Sequence, residues 1–160
     1  MKRTLLLALL MSAALPARAA YRDTIAADQP VGYWRLGDAA GSTTAANAGS
    51  LGAAGNGTIL RNVTFGLPGA LRGDSDTAAN LDGAQAKIDV PFAAALNTAT
   101  FTIEAWAKVS SGSTGYRSPL ASRDDSPQRG FIFYANPSDQ WQFWTGTGQQ
   151  VGWNSVGGAA

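Results

Sequence analysis

The sequence predicts an all-β fold, an antiparallel β-sandwich of the jelly-roll kind, and three observations point to it. Beyond residue 20 no useful stretch repeats its apolar residues at the helical spacing, whereas short apolar and alternating segments recur. Turn signals separate them at about ten residues per strand, as in a sandwich: Asn56-Gly57, Asp82-Gly83, Gly112-Ser113, Arg129-Gly130, Asn136-Pro137 and Gly146-Thr147-Gly148. The composition, 45% hydrophobic and only 14% charged with 19 glycines and 7 prolines, suits short strands joined by many turns.

The elements follow in order. Residues 1–19 open on Met1-Lys2-Arg3, run through Leu5 to Met11 and end at Pro16-Ala17-Arg18-Ala19, the charged, apolar and small-residue regions of a secretory signal peptide. Cleavage is expected after Ala19, because a cut after Ala20 would put Arg18 where a small side chain is required. The apolar run is shorter than the roughly 20 residues a membrane span needs, so export to the periplasm or the exterior is expected, without a membrane span. Residues 20–160 then form one domain. Its expected strands are Gly32–Leu36, Gly57–Leu60, Ala79–Asp82, Ala86–Val90, Phe101–Val109, Pro119–Ser122, Phe131–Tyr134 and Trp141–Trp144. The clearest is Phe101–Val109, where Phe101, Ile103, Ala105, Ala107 and Val109 share one face and Thr102, Glu104, Trp106 and Lys108 the other. Between Ala39 and Gly55 nearly every residue is small or polar, which reads as a long surface loop.

Several chemistries are excluded outright. Without cysteine there is no disulfide framework, thiol nucleophile or cysteine-held zinc, and without histidine the usual general base and commonest zinc ligand are missing. Removing the leader leaves nine basic residues against eleven acidic, a net charge of −2, which argues against nucleic acid as a partner.

Read in order, a set of motifs resembles the bacterial laminin-G-like domains of the concanavalin A-like lectin/glucanase type. Pro30-Val31-Gly32-Tyr33-Trp34-Arg35-Leu36-Gly37-Asp38 resembles their opening strand, Asn56-Gly57-Thr58 their N-G-T strand, and Gly69-Ala70-Leu71 with Gly73-Asp74-Ser75-Asp76-Thr77-Ala78 the segments that follow. Asn80-Leu81-Asp82-Gly83, Lys87-Ile88-Asp89-Val90-Pro91 and Phe101-Thr102-Ile103-Glu104-Ala105-Trp106 match the next three. The resemblance covers residues 21–160 and implies a concanavalin A-like jelly roll incomplete at its C-terminus, since the family's W-x-H-v-a and Y-v-D-G strands do not follow before Ala160. An unclosed sheet of this kind is expected to be marginally stable alone.

Candidate sites follow from residue chemistry and from the resemblance. Glycosidases need two paired carboxylates. Catalytic glucanases of this fold carry an E-x-D-x-x-E pattern on one strand, but the matching strand here holds Glu104 alone, so no catalytic residues are expected. Asp124 and Asp125 are sequence neighbours whose side chains diverge on an extended backbone. Aromatic residues crowd the last strands (Trp106, Tyr116, Tyr134, Trp141, Trp144, Trp153), and their flat faces can stack on sugar rings or fill the core. Ligand contact is expected from Trp106, Tyr134, Trp144 and Trp153. In Trp141-Gln142-Phe143-Trp144 the alternation puts Trp141 and Phe143 on one side and Gln142 and Trp144 on the other. Asp74, Asp76 and Asp82 supply hard oxygens near the loop where related domains hold calcium, so calcium is the expected cofactor. Asn56-Gly57-Thr58 and Asn62-Val63-Thr64 match a glycosylation pattern but read as turn and strand residues. The expected function is a non-catalytic extracellular recognition module for glycan or a surface protein, within a larger exported protein. A structural adhesin spacer is the alternative, and a glycoside hydrolase the third.

Overall fold

A computed structural model describes residues 21–109, 114–149 and 152–158. The leader expected over 1–19 lies outside the described residues. The chain folds as all-β antiparallel structure in two compact units, one built from residues up to Leu81 with Ala86–Thr98, the other from Asp82–Gln85 and the residues from Ala99 on.

The first unit begins with one short helix, α1 (Tyr21–Ala27), which the sequence reading did not anticipate. Asp23 favours its first turn electrostatically, and the chain leaves the helix at Gln29, whose φ of 51° precedes Pro30. Seven residues are too few for a helical period to show. A three-stranded sheet follows in the order β1 (Thr44–Ala45), β2 (Gly57–Leu60), then, from further along the chain, Lys87–Asp89. Between these come β3 (Val63–Pro68) and β4 (Thr77–Leu81), an antiparallel ribbon whose register slips between Thr64 and Leu67. Gly66 sits in the slip at φ 81°. Lys87–Asp89 is therefore β5. Ala45 and Phe65 are buried, and Gly57, opposite Ala45, leaves room for Ile88, with which a side chain there would collide.

The strand expected at Gly32–Leu36 is not formed: only an isolated bridge joins Trp34 to Asn47, and Leu36 turns left-handed at φ 58°. A side chain replaces the missing ladder. Asn47 Oδ1 accepts the backbone N–H of Tyr33 (2.7 Å) and of Gly49 (3.0 Å), its Nδ2 donates to the Gly52 carbonyl (3.1 Å), and the Trp34 indole donates to the Gly55 carbonyl (2.8 Å). The loop expected over 39–55 is thus a packed structure that holds β1 and a 3₁₀ turn (Gly52–Gly55).

The second unit is one antiparallel sheet of consecutive strands: β6 (Arg117–Asp125), β7 (Gln128–Ala135), β8 (Trp141–Thr147) and β9 (Asn154–Gly157). The expected cores of β6, β7 and β8 are all present, each longer than the sequence indicated, because pairing extends a strand into polar flanks that carry no pattern. The β6–β7 hairpin turns through Ser126-Pro127, and Asp124 accepts the N–H of Ser126 (3.2 Å) and a guanidinium N–H of Arg129 (2.8 Å). These contacts hold the Asp124 carboxyl below its ordinary range. A folded value below the unfolded one means support that is complete above the unfolded pKa and is lost as pH falls through the folded value. Arg129→Met is expected to move the Asp124 midpoint back up in a carboxyl NMR titration; an unmoved midpoint would refute the pairing.

Gly130, on β7, has φ 93°, and a methyl group there would overlap the Ser122 carbonyl of β6. Gly130→Ala is expected to cost about 2–3 kcal/mol, combining backbone strain with a broken β6–β7 ladder. Thermal unfolding checks this, and a variant as stable as the parent would contradict it. At the β7–β8 turn, buried Asn136 accepts the N–H groups of Ser138 (2.9 Å) and Gln140 (3.0 Å) and donates to Gln140 Oε1 (3.2 Å). Arg117 donates to the Asn136 carbonyl (3.1 Å) and to Asp139 (2.6 Å), fastening this turn to β6.

The strand expected at Phe101–Val109 is the main correction: these residues belong to no strand. Alternation survives at its start, where Phe101 and Ile103 line a shallow groove of about 250 Å³ with Phe133 and Phe143, and the Phe101 ring lies 5.5 Å from that of Phe131. From Glu104 to Lys108 every residue is exposed. Apolar alternation can place side chains against a sheet, but a strand also requires a backbone partner, and among the described residues none pairs with this segment.

Candidate functional site

The ladder register sorts the second sheet into two faces. Directly opposed residues share a face, so Leu120, Phe131, Phe133, Phe143 and Val156 lie on one side, and Ala121, Arg123, Ile132, Tyr134, Gln142 and Trp144 on the other. The first face is hydrocarbon at its centre: the Phe133 and Phe143 rings lie 5.0 Å apart, and those of Phe131 and Phe143 stack at 6.1 Å. Trp141 shares this face through its pairing with Ala135. The alternation read in Trp141–Trp144 therefore describes the sheet correctly.

The opposite face is aromatic and polar together. Tyr134 and Trp144 meet edge to face with centroids 5.3 Å apart, and Tyr116 closes the triangle at 5.1 Å from Tyr134 and 5.8 Å from Trp144. Hydrogen bonds hold the rings: the Trp144 indole N–H donates to Gln142 Oε1 (3.1 Å), and Arg123 Nη1 donates to the Tyr134 hydroxyl (3.1 Å). Beside them on the same face Ile132, directly opposite Trp144, is 1% exposed. Tyr116 is 53% exposed, so the cluster opens to solvent at that ring. Rigid rings with planar polar groups beside them are a surface that can stack on a sugar ring and hydrogen-bond its hydroxyls.

Of the four residues expected to contact ligand, the structure brings Tyr134 and Trp144 together. Trp106 lies on the segment 99–109 at 66% exposure, and Trp153 is half-buried just ahead of β9. Arg123 and Gln142 were not anticipated. Parity with Trp144 could have singled out Gln142, whereas Arg123 meets Tyr134 only through the β6–β7 register.

The three aspartates expected to bind calcium are engaged by the protein itself. Asp76 Oδ2 takes both Nε (2.7 Å) and Nη2 (2.6 Å) of Arg35, Asp74 Oδ1 accepts the Asp76 N–H (2.9 Å), and Asp82 Oδ1 accepts the N–H groups of Ala84 and Gln85. Among the described residues no group of three histidine, cysteine, aspartate or glutamate side chains comes together to hold a metal ion. Arg35 thus supplies a positive charge beside Asp76. Glu104 is exposed on the segment 99–109, and Asp124 and Asp125 pair with different arginines, Arg129 and Arg123, from opposite faces of β6.

Comparison with known proteins agrees with the fold. Residues 82–160 match the Laminin_G_3 family, described as the Concanavalin A-like lectin/glucanases superfamily. Among solved structures, an S-layer domain-containing protein from Clostridium thermocellum ATCC 27405 (residues 221–444) is similar, with a TM-score of 0.57 and 18% identity, over 82% of this chain and 58% of that one. This chain thus spans less than two thirds of that structure's length. No curated protein matches. Among the described residues no helix is long and apolar enough to cross a membrane. Residues 82–160 are thus similar to the laminin-G-like domains of the concanavalin A-like superfamily, and the antiparallel sheets of the chain are consistent with that all-β fold.

Proposed function

We propose that this chain is a non-catalytic extracellular recognition module that binds carbohydrate on the Tyr116–Tyr134–Trp144 face. The observation that carries the reading is the composition of that face: three rings in mutual edge-to-face contact, with Gln142 and Arg123 bonded beside them, on the side of the sheet opposite its phenylalanines. A solvated sheet face needs only polar side chains, whereas rings held against polar groups suit a ligand with both apolar and hydroxyl surface. The leader sequence supports export, and the S-layer label of the structural neighbour supports a cell-surface setting. Electrophoresis through gels containing neutral and acidic soluble polysaccharides tests this reading: at least one should retard the protein, and Trp144→Ala should abolish that retardation. Unchanged mobility in every gel would leave the structural-spacer reading standing instead.

A further inference from the structure

We propose that the aromatic face selects carboxylated sugars, with Arg123 as the residue that reads the acid; this rests on the carbohydrate reading above. Arg123 lies on the same face as Tyr134 and Trp144, and one of its nitrogens donates to the Tyr134 hydroxyl at 3.1 Å. That bond fixes the guanidinium at the edge of the ring cluster, where a substituent of a stacked sugar would project. The fork is incompletely used. Its ion pair with Asp125 is 3.5 Å long, against 2.7–2.9 Å for a strong charge-assisted bond, and the two side chains are 40% and 60% exposed. Arg129, by contrast, holds Asp124 at 2.8 Å. A guanidinium fork matches the two oxygens of a carboxylate, so a uronic acid can take the place Asp125 holds weakly. With residues 20–160 carrying a net charge of −2, attraction for an acidic polymer must be local to this arginine.

Polygalacturonate and its methyl ester share one sugar backbone and differ in the carboxylate, so they isolate the charge. With the full chain in affinity gels or titration calorimetry, polygalacturonate is expected to bind at least about tenfold more tightly than the ester. Arg123→Met should remove that difference, so that the acid and the ester bind alike. Arg123→Lys, which keeps the charge without the fork, should reduce it, and Asp125→Asn, which removes the competitor, should enlarge it. Equal binding of acid and ester, or an Arg123→Lys variant that discriminates like the parent, overturns the selectivity and leaves carbohydrate recognition in place. Binding to no polysaccharide at all overturns both.

Discussion

Replacing Trp144 with alanine is expected to weaken glycan binding by about 30-fold or more, enough to erase retardation in a polysaccharide gel. The estimate follows from the cost of truncating a central tryptophan in a binding surface, about 2 kcal/mol or more, at about 1.4 kcal/mol per tenfold. Trp144 is central because it touches both Tyr116 and Tyr134 and is held by Gln142, so its loss removes one ring and releases two others. Trp144→Phe retains a flat ring without the indole donor and should lose much less. Near-ultraviolet circular dichroism separates a lost site from a lost fold. A well-folded Trp144→Ala protein that binds like the parent would place the ligand elsewhere, for instance at Trp106 or Trp153.

Ile132→Ala is expected to be the most destabilising single truncation in the second unit, at ~3 kcal/mol, which for a chain of this length lowers Tm by about 10 °C. Ile132 is 1% exposed and lies between Ala121 of β6 and Trp144 of β8, so the cavity left by its removal opens beside Trp144. Ile132→Val should cost only ~1 kcal/mol, since one methyl group is lost instead of three carbons. Binding should weaken with Ile132→Ala as well, because Trp144 would lose its cross-strand neighbour. Thermal unfolding followed by tryptophan fluorescence reports both variants. A fall in Tm of a degree or less for Ile132→Ala would show that this residue is not the support the sheet register makes it.

How much of this could be read from residues alone differs from element to element. The cores of β2, β4, β5, β6, β7 and β8 were legible because each combines apolar or alternating residues with a turn signal at its end. β3 was not, because Val63–Pro68 mixes glycine and proline with its apolar residues, and β9 was not, because Asn154–Gly157 has no pattern. The opening segment at Gly32–Leu36 has strand-like residues but gives its backbone bonds to Asn47 and to the loop after it. Phe101–Val109 has the best strand pattern in the chain and pairs with nothing among the described residues.

The sequence by itself determined the all-β class, most of the second sheet's strands, the division of Trp141–Trp144 between two faces, and the absence of thiol and imidazole chemistry. Those properties depend on residue type or on neighbours one or two positions away. Only the tertiary structure decided that Tyr116 joins Tyr134 and Trp144, that Arg123 reaches the Tyr134 hydroxyl, and that Arg35 takes Asp76. Each of these contacts spans ten or more residues and is set by which strands pair and in what register. A one-residue slip of one strand would move all of that strand's side chains to the other face, so no local pattern could have specified the sheet's contacts in advance.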